Sequence, residues 1–189
     1  MNLNDFVKER GVQTDKYDLG YFHEFYDRLF SIRKNSLQSL LELGIWSGAS
    51  IRLWRDYFTH AKVVGVDILE RDVSLRTEER IFIEYTDAYN VEFLEKLKYS
   101  SFDVIIDDGP HTIDSQAFTI KNYSSLIAPG GVLIIEDIVD LRGIAYLESL
   151  VDRNKFYSYT INMVGKQRTQ DLLNRWRNGL GVLICERRF

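Results

Sequence analysis

The chain has 189 residues, 45% hydrophobic and 28% charged, with a formal net charge of −4. That length buries the core of one domain, and the ordinary apolar fraction excludes a disordered or low-complexity protein. The negative balance speaks against bulk nucleic-acid binding, and no apolar run reaches the roughly 20 residues of a membrane-spanning helix. The opening "MNLNDFVKER" has no apolar leader core, and Cys185 is the one cysteine, so no internal disulfide forms and a cytoplasmic setting is expected. Pro110 and Pro129 are the two prolines, and no Gly/Ser-rich linker or repeat divides the chain. One domain over 1–189 is expected, with 1–37 a helical cap and 38–189 the core.

In chain order, the first predicted element is an aromatic-rich amphipathic helix over 16–32, carrying Tyr17, Tyr21, Phe22, Phe25, Tyr26, Leu29 and Phe30. Those rings read as core or as a subunit interface, which leaves a homo-oligomer open. Short β-branched runs follow at 39–44, 61–68, 80–85, 102–107 and 131–137, as strands buried on both faces require. Helical spacing separates them at 48–58 and 112–127, and continues at 140–151. "KFYSYTI" (155–161) and "GVLICERR" (181–188) read as a closing strand pair. The alternation gives an α/β doubly wound, mostly parallel seven-stranded Rossmann-like sheet with helices on both faces.

The chemistry gathers where these strands end. "LLELGIWSGASIRLW" puts Gly44 and Gly48 at a strand-to-helix turn, where bare backbone can approach a ligand. The spacing is G-x-x-x-G rather than the G-x-G-x-x-G of a pyrophosphate clamp. Glu42 before it would repel a phosphate and tolerate a cationic or zwitterionic ligand. Asp67 ends the next strand, where an acid accepts hydrogen bonds from ribose hydroxyls or caps a helix. Asp87 sits at the same edge, within reach of an adenine amino group or as an ordinary cap. "VIIDDGPH" (104–111) then delivers Asp107, Asp108 and His111, and "IIED" delivers Glu136 and Asp137 beside them. Four crowded carboxylates repel one another, and a hard divalent cation such as Mg²⁺ relieves the conflict. His111, three residues past Asp108, has the chemistry of a general base. The same residues read as helix caps if no metal is bound.

"ELGIWSG", "VVGVDI" and "APGGVLIIED" together resemble the class I S-adenosylmethionine-dependent methyltransferases over about residues 38–138. The resemblance implies a cofactor site of Glu42, Gly44, Trp46, Gly48, Ser50, Asp67, Ile68, Asp87 and Ala88, with Asp107 near the cofactor's amino group. More narrowly, "DDGPH" and "IIED" are similar to the metal-dependent sugar O-methyltransferases of the macrocin and mycinamicin type. That pattern implies Asp108, Glu136 and Asp137 as Mg²⁺ ligands and His111 as base, with Asp108 and His111 forming the catalytic pair. Pro110 stands where that family carries serine. "QTDKYDLGYF" (13–22) resembles a T-D-K segment that precedes the core in relatives, with Lys16 and Tyr21 as contacts to the cofactor.

The implied reaction is methyl transfer from S-adenosylmethionine to a hydroxyl of a sugar or other vicinal diol. A catechol-like acceptor, a binding protein of the same fold and an NAD-linked oxidoreductase are the alternatives, the last disfavoured by the glycine spacing. Residues 153–189 carry eight Lys/Arg against Asp171 and Glu186, net +6, leaving −10 for the rest of a chain whose total is −4. This basic tail is a solvated surface or the seat of an anionic group such as a nucleotide sugar. No nucleic-acid or membrane partner is expected, and Trp176 is left between packing and sugar stacking.

Overall fold

Alternate residues of the central strands project to opposite faces, and both faces are buried. Leu40, Val63, Val104, Ile106, Val132 and Ile134 feed one core; Leu41, Leu43, Val66, Ile105, Leu133 and Ile135 feed the other. Continuous β-branched runs are the sequence form of that two-sided burial. The computed structural model describes residues 1–163 and 181–189. The basic and aromatic residues singled out at Lys166, Arg168, Arg175, Trp176 and Arg177 lie outside the described residues.

Among the described residues seven strands form one sheet: β1 (Ser39–Leu43), β2 (Lys62–Asp67), β3 (Ile81–Tyr85), β4 (Phe102–Asp107), β5 (Ile127–Ile138), β6 (Phe156–Asn162) and β7 (Gly181–Arg187). Their order is β3-β2-β1-β4-β5-β7-β6. The first five run parallel, and β7 lies antiparallel between β5 and β6. The mostly parallel sheet and its closing pair match the sequence reading. β5 starts earlier than expected, because the register against β4 shifts between Phe102 and Val104, accommodating "APGG" within the strand.

Among the described residues seven α-helices flank the sheet: α1 (Leu3–Arg10), α2 (Asp15–Asp18), α3 (Asp27–Ser31), α4 (Ala49–Tyr57), α5 (Val91–Leu97), α6 (Ile113–Tyr123) and α7 (Leu141–Ser149). α1, α3 and α4 pack on one face, and α5, α6 and α7 on the other. The expected single helix over 16–32 is broken. Gly20 takes φ 79°, which ends α2, and Phe22–Tyr26 form a π-helical turn that runs into α3. The wider turn re-phases the segment so that Tyr21, Phe22, Phe25, Tyr26 and Phe30 all face inward. The Trp54 ring on α4 receives Phe22, Tyr26 and Phe30 at 6.1, 5.1 and 5.3 Å between centroids. These rings are core. Tyr17, 40% exposed, is not part of it.

α1 and α5 were absent from the sequence reading, although both carry their start signals. Asn2 Oδ1 accepts from the Asp5 N–H at 2.8 Å, and Asn90 Oδ1 from the Phe93 N–H at 2.8 Å. α1 then stops at Gly11, whose φ of 61° satisfies the last carbonyls.

Candidate active site

Strand alternation separates the two adjacent aspartates of "VIIDDGPH". Asp107 faces α6, is 2% exposed, and accepts from Tyr89 Oη at 2.5 Å, Thr119 Oγ1 at 2.6 Å and the Gly109 N–H at 3.2 Å. Burial raises its pKa, and these donors oppose the rise. It ties the β4 turn to α6 and does not line the cleft described below. Asp108 turns to the opposite face, beneath the N-terminal segment.

There the structure assembles a buried charge cluster. Lys16 Nζ on α2 donates to Asp108 Oδ2 at 2.5 Å and to Glu136 Oε2, and lies 3.4 Å from Glu42 Oε1. Tyr26 donates to Glu136 Oε1 and Tyr21 to Asp137 Oδ1. Lys16, Glu42, Glu136 and Asp137 are 1%, 0%, 0% and 3% exposed, so water screens little of this. Burial works against the charge on Lys16, but Asp108, Glu136 and Glu42 more than offset it and hold its pKa well above the usual value. Burial pushes Glu42 up to about 7 against the pull of Lys16. Burial also raises Glu136 and Asp137, and the Asp108 charge adds to both rises.

His111 closes the cluster on the solvent side. Its Nε2 lies 3.7 Å from Asp137 Oδ2 and 4.0 Å from Asp108 Oδ1. Ligand atoms of Asp108, His111 and Asp137 lie within 4.8 Å of one another, a donor set that suits a divalent cation. The carboxylate of Glu136 is held by Lys16 and Tyr26. Both His111 (φ 54°) and Asp137 (φ 52°) sit in the left-handed region, at a cost on the order of 1–3 kcal/mol each. Strain at two neighbouring polar residues marks a geometry fixed by more than local preference.

A cleft of about 1110 Å³ runs from this cluster along the carboxyl ends of β1, β2 and β3. Gly44, Trp46, Ser50, Asp67, Ile68, Asp87, Ala88, Asp108 and His111 line it, together with residues 12–18. Glu42 and Gly48, expected in the cofactor site, are not among the residues that line it. Gly44 has φ 84°, and a side chain there would collide with the Asp108 carbonyl. Gly48 has φ 82°, and its Cβ would come within 2.5 Å of Leu75. Asp67 holds the glycine turn in place: Oδ2 accepts from the Ile45 and Trp46 N–H at 3.1 and 3.0 Å, and Oδ1 from the Leu69 N–H at 3.0 Å. Trp46 (φ 48°) projects outward, and the Arg71 guanidinium lies 3.8 Å from its ring centre. Asp87 Oδ1 accepts from the Tyr89 N–H at 2.8 Å in a local turn, the cap of α5 being Asn90, and the carboxylate stays exposed at the cleft.

Lys16 and Tyr21, read from the sequence as cofactor contacts, instead have their polar ends on the acids, while Lys16 also borders the cleft. Tyr26 was read only as part of the core or of a subunit interface. Nothing in "YFHEFY" distinguishes the one hydroxyl that meets Glu136, because the π turn that aims it is invisible in the pattern.

A parallel sheet closed by one reversed strand, with a ligand cleft at the β1–β4 edge, is the Rossmann-like fold of methyltransferases. The chain belongs to the family described as "Methyltransferase domain", which matches residues 41–138. It is 33% identical over 134 residues to the mycinamicin VI 2''-O-methyltransferase of Micromonospora griseorubida, covering 63% of this chain and 32% of that one. It is also 33% identical over 129 residues to the demethylmacrocin O-methyltransferase of Streptomyces fradiae, covering 64% and 32%. The chain thus spans about a third of the length of these relatives. Among solved structures it superposes on the MycE methyltransferase of the mycinamycin biosynthetic pathway in complex with Mg and SAH. The TM-score is 0.72 at 25% identity, over 100% of this chain and 55% of that one.

Proposed function

We propose that the chain is the catalytic domain, residues 1–189 with 1–37 as its cap, of an S-adenosylmethionine-dependent, divalent-metal-assisted O-methyltransferase. The acceptor class is a hydroxyl of a sugar or other vicinal diol. The observation that carries this reading is the convergence of Asp108, His111 and Asp137 at one end of a cleft whose other end is the Gly44–Asp67 turn. The relatives named as sugar O-methyltransferases support it.

Asp67 and Asp87 bind the nucleoside end, Gly44 and Ala88 let backbone and base approach, and Trp46, Ser50 and Ile68 complete the wall. Glu42 and Gly48 shape the turn from below, and Asp107 positions the β4 loop near the amino end of the cofactor. Asp108, Glu136 and Asp137 are the proposed metal ligands. The bound cation would orient two acceptor oxygens and lower the pKa of one hydroxyl. S-adenosylmethionine would supply the methyl group. His111 takes the hydroxyl proton at Nε2, and Asp137 Oδ2, 3.7 Å away, stabilises the resulting imidazolium. Residues 12–18 line the cleft and would limit the access of water to a bound cofactor.

Thermal unfolding with S-adenosylhomocysteine, and separately with NAD, each with and without Mg²⁺, tests the reading. Ligand at about 100 times its Kd stabilises by about 2.7 kcal/mol, a rise of roughly 5–10 °C for this size. A rise with S-adenosylhomocysteine, and a further rise with Mg²⁺, is expected. A rise with NAD in its place overturns the proposal.

A further inference from the structure

One lysine reaches both halves of this site. Lys16 belongs to the strap at residues 12–18 that lines the cofactor cleft, and its ammonium sits among the carboxylates proposed to bind metal. With Nζ 2.5 Å from Asp108 Oδ2 and bonded to Glu136, it occupies the place where a cation neutralises the acidic edge. A metal that takes the oxygens Lys16 holds, Asp108 Oδ2 and Glu136 Oε2, must displace it. The structure also provides a destination. Glu42 Oε1 is fully buried and lies 3.4 Å from the same Nζ. The other oxygen of Glu42 is fixed by Trp54 Nε1 at 3.0 Å, so Oε1 is held facing Lys16.

We propose that Lys16 is an internal cation exchanged for the metal. It holds Asp108 and Glu136 together when no metal is bound, and withdraws to Glu42 Oε1 when a divalent ion takes them. In both positions it anchors the strap over the cofactor cleft. Lys16 is then a positioning residue for the strap and a competitor of the metal, and Glu42 is the acceptor that receives its charge inside a buried site. This rests on the methyltransferase reading above.

Opposite signs on two ligands make the test. In Lys16→Met, Mn²⁺ affinity, followed by the electron paramagnetic resonance of the free ion, should rise about tenfold, because a competing charge has gone. Affinity for S-adenosylhomocysteine, by calorimetry in chelator, should fall about tenfold, because the strap has lost its anchor. Lys16→Arg, which keeps the charge, should restore the nucleoside affinity. Glu42→Gln should weaken Mn²⁺ binding in the natural chain and have no effect on it in the Lys16→Met background, which a direct electrostatic role of Glu42 would not produce. A lysine that only supports the fold would shift both affinities the same way, or neither, and that result overturns the proposal. Should the unaltered chain bind neither Mn²⁺ nor S-adenosylhomocysteine, the methyltransferase reading itself fails. If Lys16→Met does not fold, the Glu42→Gln arm decides: unchanged Mn²⁺ affinity overturns the exchange.

Discussion

Replacing Asp67 with alanine removes three N–H···O contacts at 3.0–3.1 Å that fix Ile45, Trp46 and Leu69. A hydrogen bond nets about 0.5–1.5 kcal/mol, and Asp67 is only half-buried, so water takes over part of each. The lower half of that range gives about 2 kcal/mol in all. For a chain of this size that lowers the unfolding midpoint by roughly 4–8 °C. The larger consequence falls on the ligand, because the same carboxylate holds Trp46 in its unfavourable backbone conformation and faces the cleft. Affinity for S-adenosylhomocysteine should fall by about 10- to 100-fold, more than stability alone accounts for. Calorimetric titration beside a melting curve measures both. Asp67→Asn, which keeps one acceptor oxygen, should fall between. A variant that melts within about 1 °C of the natural chain and binds within about twofold would refute the reasoning, since the turn would then stand without its carboxylate.

Two further outcomes follow from the acidic edge. His111→Ala should leave S-adenosylhomocysteine binding within about threefold and cut transfer to any glycoside acceptor by about 10²–10⁴-fold. Unchanged turnover excludes it as the base, and a loss of Mn²⁺ affinity beyond tenfold makes the imidazole a metal ligand instead. Without metal, Glu42 holds its proton to about pH 7 in the folded chain, against 4.5 for the free group. Its contribution to stability is full below about pH 4.5 and is lost as pH rises through 7, a gap of about 3 kcal/mol. Glu136 and Asp137, also raised by burial, act in the same direction. The chain in chelator should therefore melt lower at pH 8 than at pH 6, and Glu42→Gln should flatten that slope. Equal slopes would show that Glu42 ionises freely in the fold.

The parts of this protein that were legible in its sequence are those governed by period and position. Two-sided burial writes itself as unbroken runs such as "VIIDD" and "GVLIIED", so the strands and the acids at their ends could be placed. What escaped depended on a backbone detail with no compositional mark. The π turn at Phe22–Tyr26 decides which tyrosine hydroxyls reach Glu136 and Asp137. The adjacent pair Asp107 and Asp108 offers two equal carboxylates on paper. Only the pleat sends one to Thr119 and Tyr89 and the other to Lys16. Lys16 itself carried a family pattern but no sign that its charge would be buried.

The position of β7 has a bearing on how the chain acquires its shape. It is the last of the described strands in sequence yet sits inside the sheet, between β5 and β6. Until residues 181–187 arrive, β6 has no strand beside it and β5 presents a bare apolar edge of Val132, Leu133, Ile134 and Ile135. A chain emerging amino-end first therefore carries an unfinished, adhesive sheet until those residues are made. The final register locks only when β7 threads into the gap. Shortening the chain by that one strand would remove two interfaces at once.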